Sequence, residues 1–362
     1  MMPGRVLLTT DAVGGVWRYS LAIAAGAAAR GWHCTLATMG PPPSASQRQD
    51  VAAIPRCTLL DTGLPLDWTA QNEAGMAAAA QTLQTLARNT GADTVHLHTP
   101  TLAAVSWTLP VVAVAHSCVG SWWHAVHDTP VPRDFHWRMA WLREGLQAAN
   151  AIIAPTQAFA NALHGIYDPG RRIDVVHNGL DPAAILPQPR QPRVLTAARL
   201  WDRGKNITVL DKAASGLGAP IDAAGPTAGP DGATFAATHL NLLGNLPPTR
   251  LHTEMARAAI FAAPSLYEPF GLAVLEAAQR GTPLVLADIP SFRELWTGAA
   301  IFVDPRDHQA WTDTLRSLLD APAYRATLGA QAKYRALRYT ADAMVTATLA
   351  LHTVKEEQYV LF

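Results

Sequence analysis

The stretch that most constrains this chain is Ala263-Pro-Ser-Leu-Tyr-Glu-Pro-Phe-Gly-Leu-Ala-Val-Leu-Glu-Ala-Ala-Gln-Arg-Gly281. An apolar run ends at Pro264 and a short polar loop follows. Phe270-Gly271-Leu272 then opens a helix with Leu272, Leu275, Glu276 and Gln279 in its repeat, and Gly281 stops it. Glu268 falls in the loop and Glu276 within the helix, so two carboxylates bracket a helix N-terminus whose amides and dipole favour an anion. Two acids beside an anion pocket repel a phosphate unless each is bonded to something else, and sugar hydroxyls are the natural partners. The pattern points to a ligand that is both phosphorylated and polyhydroxylated; an ordinary surface helix with an acidic loop before it is the competing reading.

At 362 residues the chain exceeds one typical core, and the size prior gives two domains. Acidic and basic side chains are equal in number, 28 of each, so no cationic excess exists to displace counterions and a nucleic-acid binder is disfavoured. Cys34, Cys57 and Cys118 are isolated and odd in number, which fits a reducing compartment and neither a disulfide framework nor a zinc site. No secretory leader is read, and the alanine run from Ala22 to Ala29, broken by Gly26 and closed by Arg30 and Gly31, is too short to span a bilayer. The expected location is the cytoplasm, with peripheral contact at the inner face of the membrane left open.

Arg5 to Thr10 reads as a buried strand, Gly14-Gly15 as a turn, Trp17 to Arg30 as a helix and His33 to Met39 as a second strand, a parallel βαβ unit. The glycine pair is not Gly-x-Gly-x-x-Gly, so a nicotinamide enzyme is not supported. It either lets the backbone approach a ligand or serves the turn. Pro41 to Ser44 is a loop, and no element is defined from there to Leu66. After a helix from about Asn72 to Asn89, Thr94 to His98 forms a strand with His96 and His98 on one face. Val111 to Ala115 is another, ending at His116-Ser117. Parallel sheets place ligands at the C-terminal ends of their strands, which ranks His98 and His116 above the other histidines; a satisfied structural role is the alternative for His116. His96 and His98 lack a carboxylate or cysteine at a supporting spacing, so a metal is not expected. Trp122-Trp123, placed in the loop after the strand, can stack on a sugar, lean on lipid headgroups or pack in the core.

Ala151 to Pro155 and Ile173 to His177 add strands before Pro187 to Pro192, a stiff linker and the clearest boundary in the chain. A second Rossmann-like unit opens at Val194 to Arg199, and the turn Leu200-Trp-Asp-Arg-Gly-Lys205-Asn206 sets Arg199 and Lys205 near a strand end and a helix start. Lys205 is the first lysine of the chain. Further strands are expected after Pro220, with a Gly225-Pro226 turn, and at Ile260 to Ala263, Pro283 to Ala287 and Ile301 to Val303. Amphipathic helices are expected over Gln309 to Leu319 and Tyr324 to Arg338.

With these residues in view the chain resembles the retaining glycosyltransferases of family 4. The resemblance rests on two glutamates with seven residues between them, preceded by Pro-Ser and carrying Phe-Gly-Leu, and on the arginine and lysine of the 199–205 turn. It implies an α/β chain of GT-B fold, two Rossmann-like domains with parallel sheets facing each other across a cleft that closes on binding. The domains would be 1–186, acceptor side, rejoined by a helix at about 340–362, and 187–339, donor side. Asn178-Gly179-Leu180-Asp181 resembles the Asn-Gly-Val-Asp that closes the first. Carried over residue by residue, Arg199 and Lys205 hold the donor diphosphate, Glu268 contacts the donor sugar and Glu276 the ribose. The main chain at Phe270, Gly271 and Leu272 meets the phosphate, the stretch holding Gly244 and Leu246 meets the base, Gly14 and Gly15 face the donor phosphate, and His116 lies beside the sugar. Glycines usual in the family are replaced by Ala198 and Asn206.

The implied activity is hexosyl transfer from a UDP- or GDP-linked sugar to a glycan, lipid-linked or small-molecule hydroxyl, without a metal or other cofactor. The resemblance describes retention as front-side attack, with the departing phosphate taking the acceptor proton. A nucleotide-sugar epimerase of GT-B fold and a non-catalytic nucleotide-sugar binder are the rival readings.

Overall fold

The computed structural model describes residues 4–182, 188–229 and 232–353. Contacts divide the chain into two units, one made of residues up to 124, 129–179 and those from 340 onward, the other of 125–128 and 180–339. Each is a parallel sheet flanked by helices.

The first unit runs β1 (Arg5–Asp11), α1 (Gly15–Ala29), β2 (His33–Met39), α2 (Ala45–Ala52), β3 (Cys57–Leu64), α3 (Glu73–Asn89), β4 (Thr94–Leu97), β5 (Val111–Val114), α4 (Val119–Val126), α5 (His136–Ala148), β6 (Ala151–Ala154), α6 (Gln157–Tyr167) and β7 (Asp174–Val175). Its described strands stand in the order β3-β2-β1-β4-β5-β6-β7, all paired in parallel. The second unit runs β8 (Gln191–Ala197), α7 (Ile207–Ala214), β9 (Ile221–Ala224), β10 (Asn241–Gly244), α8 (Pro248–Arg257), β11 (Ala258–Ala263), α9 (Leu272–Gln279), β12 (Leu284–Ala287), α10 (Pro290–Trp296), β13 (Ile301–Val303), α11 (His308–Leu319) and α12 (Pro322–Ala336), in the parallel order β10-β9-β8-β11-β12-β13. Strand order reverses between β1 and β4 and again between β8 and β11, and such switch points open a crevice beyond the C-terminal strand ends. The 199–205 turn and the 264–271 loop follow the two strands at the second of these points.

Sequence explains most of the packing. Central strands such as β5 and β6 are buried along their whole length and so read as continuous apolar runs, while β4, equally buried, carries Thr94 and His96 among its apolar residues. Trp17, Tyr19, Ser20, Ile23, Ala24 and Ala27 form the buried stripe of α1. A terminal helix, α13 (Ala341–Leu351), lays Met344, Val345 and Leu349 into the same core. Gly26 makes room for it, since a Cβ there would lie 2.6 Å from Val345. Among the described residues no helix is long and apolar enough to cross a membrane.

Four local expectations are corrected. The undefined segment before Leu66 contains α2, closed at its start by a Ser44–Gln47 capping box, and β3. Because β3 is an edge strand of half-buried and exposed residues, it carries no clean alternation. Trp122 and Trp123 lie within α4 rather than in a loop, half-buried, with rings 6.1 Å apart. The strand β8 begins at Gln191, so the last part of the proline-rich linker is sheet; Pro187 lies outside the described residues. The strand expected over Ile173 to His177 shortens to β7, at the opposite edge. Helices α6 and α8 had no counterpart in the sequence reading.

The helix α5 comes to backbone contact at Gly145, where a Cβ would fall 1.8 Å from the carbonyl oxygen of Pro100. Gly145→Ala is expected to lower stability by about 3 kcal/mol through overpacking, read as a depressed calorimetric midpoint. An unchanged midpoint would show that this approach is not a constraint of the fold.

Candidate functional site

The donor-side cluster is built on two loops. Just past β8, Asp202 turns the chain: its carboxylate accepts from the Gly204 amide at 2.9 Å and from Arg199 Nη2 at 2.8 Å. Burial alone would push the Asp202 carboxyl up, but Lys205, Arg199 and the Gly204 amide outweigh it and hold it below the usual carboxylate range. Lys205 reaches across to Glu268, with Nζ 2.7 Å from Oε2. The amides of Leu266 and Tyr267 donate to the Gly204 carbonyl at 2.9 and 3.1 Å, so the two loops are also joined through their main chains. Ser291 Oγ fixes the other side of the acid by donating to the Glu268 carbonyl at 2.5 Å.

Asn206 explains one departure from the resembled pattern. Its φ is 54°, in the left-handed region where glycine is the default and asparagine the best-tolerated side chain. Its Nδ2 donates to the carbonyls of Pro264 and Pro305 at 3.0 and 2.7 Å, bonds that glycine could not make. At the other departure, Ala198, the close approach is supplied from the neighbouring strand: a Cβ on Gly225, whose φ is 135°, would lie 1.8 Å from the Ala198 carbonyl. Gly225 is therefore required by its own sheet.

Gly271, at φ 88°, caps α9, and the first amides to bond within that helix are those of Val274 and Leu275. The amides of Leu272 and Ala273 precede them at the helix tip. A Cβ on Gly271 would be 3.3 Å from Glu268 Cγ, which places the tip against the acid. Phe270 packs its ring into the core, edge-on to Tyr339 at 5.7 Å, so only its main chain can serve a ligand. Glu276 is buried and meets His252 Nε2 of α8 at 2.5 Å. Gly244 bonds the Gly225 amide through its carbonyl at 2.9 Å. Leu246 lines a hollow with Leu243, Arg193, Arg250 and Glu254, whose charges pair with one another. Arg199 and Lys205 thus flank Asp202, and Lys205 links them to Glu268, which lies against the helix tip, with Glu276 one turn deeper in the same helix. Asp202, His252 and Ser291 were missed. The Asp-Arg-Gly before Lys205 is a readable capping signal for the first; nothing in the sequence ties His252 to Glu276.

In the first unit Gly15 opens α1 and Gly14 is extended at φ −162°, with nothing within 4 Å of a Cβ built on it, so turn geometry does not account for this glycine. His116 follows β5 and its Nε2 lies 2.9 Å from His98 Nδ1. His98 Nε2 continues to Ser20 Oγ at 3.0 Å. Behind them His96 Nδ1 meets His352 Nε2 at 2.9 Å, and His352 Nδ1 meets Thr94 Oγ1, also at 2.9 Å. Burial pushes all four imidazoles down, His116 to about 4 and His352 to about 3. Among the described residues no group of three or more histidine, cysteine or acidic side chains stands where it could hold a metal.

Comparison with known proteins accords with this geometry. Residues 13–184 match the model of Glycosyltransferase Family 4 and residues 233–335 that of Glycosyl transferases group 1, spans that include both glutamates and His116 but not the 199–205 turn. The chain is 30% identical over 290 residues to the D-inositol 3-phosphate glycosyltransferase of Mycobacterium avium, covering 71% of this chain and 67% of that protein. It is 29% identical over 297 residues to the glycogen synthase of Mycobacterium tuberculosis, covering 75% and 70%. Among solved structures, sucrose-phosphate synthase from Thermosynechococcus elongatus aligns with a TM-score of 0.79 at 16% identity, over 96% of this chain and 98% of the other. Anabaena HepE, solved with UDP and glucose, aligns at 0.70 and 17%, over 96% and 98%.

The four depressed imidazoles set a pH dependence. Each is neutral when folded and takes up a proton near its ordinary 6.5 when unfolded, so its contribution is complete above that value and is lost as pH falls through the folded value, about 4 for His116. Each contributes a slope of up to about 1.4 kcal/mol per pH unit in that window. The melting temperature should hold from pH 8 to 7 and fall steeply below 6.5. A flat profile down to pH 4.5 would mean that these rings are charged in the fold.

Proposed function

Because the chain belongs to the glycosyltransferases of family 4 and has the GT-B fold, we propose that it moves a sugar, with retention, from a UDP- or GDP-linked donor to a hydroxyl of a polyhydroxylated acceptor. The observation that carries this reading is the meeting of Lys205 with Glu268 at the tip of α9, with Arg199 joined to the same loop through Asp202. Cleaving the bond from the anomeric carbon to the diphosphate builds negative charge on the leaving phosphate and positive character on the sugar. Lys205, Arg199 and the amides of Leu272 and Ala273 are fixed donors for that phosphate, the work a divalent ion does elsewhere, so no metal is needed. Glu268 accepts from the sugar hydroxyls, and the buried Glu276, aligned by His252, accepts from the ribose. The departing phosphate takes the acceptor proton on the face it leaves.

The acceptor is read more coarsely. Relatives named for inositol 3-phosphate and for glycogen support a polyol phosphate or a glycan, and a neighbour solved with UDP and glucose supports a uridine-linked donor. Incubation with a panel of UDP- and GDP-sugars, each with and without myo-inositol phosphate or a maltooligosaccharide, should give acceptor-dependent nucleotide release that survives EDTA. Release without acceptor would favour epimer or hydrolytic chemistry, and binding without release a non-catalytic role.

Lys205→Ala should slow turnover by roughly a hundred- to a thousandfold, the usual effect of removing one preorganised donor, with the far-UV circular dichroism of the fold retained. Retained turnover would remove Lys205 from the site. In Glu276→Ala the affinity for free nucleoside diphosphate should fall by about tenfold or more, measured by calorimetry, since a charged acceptor to two hydroxyls is lost; undiminished affinity would refute the ribose contact.

A further inference from the structure

We infer that Ser20 and His98 are positioning residues that hold His116 in one neutral tautomer, its proton on Nε2 and its Nδ1 lone pair presented as an acceptor for a substrate hydroxyl. The tautomer follows from hydrogen-bond directions in the first unit alone; only the hydroxyl rests on the proposed transferase reading.

The chain starts at Ser20, fully buried on α1. Its hydroxyl has one proton and two partners placed to take it, the Val16 carbonyl and Thr10 Oγ1, both at 2.8 Å. Toward His98 Nε2, 3.0 Å away, the oxygen is therefore the acceptor and the ring the donor. A neutral imidazole carries one N–H, so His98 Nδ1 is an acceptor and His116 Nε2, 2.9 Å from it, must donate. That leaves the lone pair on His116 Nδ1, which has no hydrogen-bond partner among the described residues. The rings are held in place from two sides. The His98 amide donates to Thr9 Oγ1 at 2.9 Å, and Tyr19 stands edge-on to His98 and His116 with centroids 5.2 and 4.8 Å away. Burial disfavours a charge on either ring, which preserves the direction of the chain.

The neighbouring pair supplies an internal control with the opposite outcome. Thr94 Oγ1 donates to the Pro110 carbonyl at 3.0 Å and so accepts from His352 Nδ1. His352 Nε2 then accepts from His96 Nδ1. His96 Nε2 is left bare, and it is indeed buried without a partner.

Nitrogen-15 spectra of the histidine-labelled protein at pH 7.5, assigned with single His→Gln variants, should show His98 and His116 protonated on Nε2 and His96 and His352 on Nδ1. In Ser20→Ala and His98→Leu, His116 should shift toward a mixture of tautomers while the His96 and His352 signals stay put, which also reports an intact fold. His98→Gln, whose amide can donate to Ser20 and accept from His116, should restore the Nε2–H form. With UDP-glucose as the donor probe, kcat should fall about tenfold in His98→Leu and recover in His98→Gln, with KM little changed. A wild-type His116 protonated on Nδ1 or on both nitrogens overturns the inference, as does a tautomer indifferent to Ser20 and His98. Should the tautomers follow the scheme while kcat does not, the acceptor role of Nδ1 is refuted and the transferase reading stands. Should no nucleotide sugar of the panel turn over in wild type, the transferase reading fails and takes the hydroxyl with it, leaving the tautomer to be judged by the spectra.

Discussion

A lysine and a glutamate 2.7 Å apart, both largely screened from water, set the terms for the second half of this protein. A half-buried ammonium without a counterion is costly. Glu268 supplies that counterion. Two unit charges at about 4 Å interact by roughly 4 kcal/mol at an effective dielectric of 20, so the pair is strong enough to hold both side chains in line. The backbone does the rest of the positioning, because the bonds from Leu266 and Tyr267 to Gly204 keep the two loops in register whichever partner Lys205 takes.

How much of this was legible in the sequence depended on whether a feature is local. Interior strands β1, β2, β5, β6, β11 and β12 announced themselves as buried apolar runs, and α9 by the glycines that bound it at Gly271 and Gly281. The edge strand β13 was readable too, from Ile301-Phe-Val303, but β3 was not, because its half-exposed residues carry no continuous pattern. Helix α8 was unreadable for a related reason: it opens on two prolines and holds threonines and charged residues, yet buries His252, Glu254 and Met255. Its buried polar residues are there to meet partners distant in the chain, Arg193 for Glu254 and Glu276 for His252.

The candidate site followed a similar rule. Arg199, Lys205, Glu268 and Glu276 stand near strand ends and helix starts, and the resemblance to family 4 supplied their expected roles. Asn206, which looked like a blur in that spacing, turns out to keep the backbone conformation that glycine would supply and to add two side-chain bonds. What spacing could not reveal was the layer that holds these side chains: Asp202 on Arg199, His252 on Glu276 and Ser291 on the Glu268 backbone.

The two units solve their polar problem differently, and the difference bears on what each can do. In the second unit several of the buried polar groups are charges in pairs, Glu254 with Arg193 and Asp202 with Arg199, while Asp211 is held by the amides of Thr238, His239 and Leu240. In the first unit they are neutral rings and hydroxyls joined end to end, each proton assigned by the next acceptor along. Such a chain contributes little field, but it fixes which atom donates and which accepts.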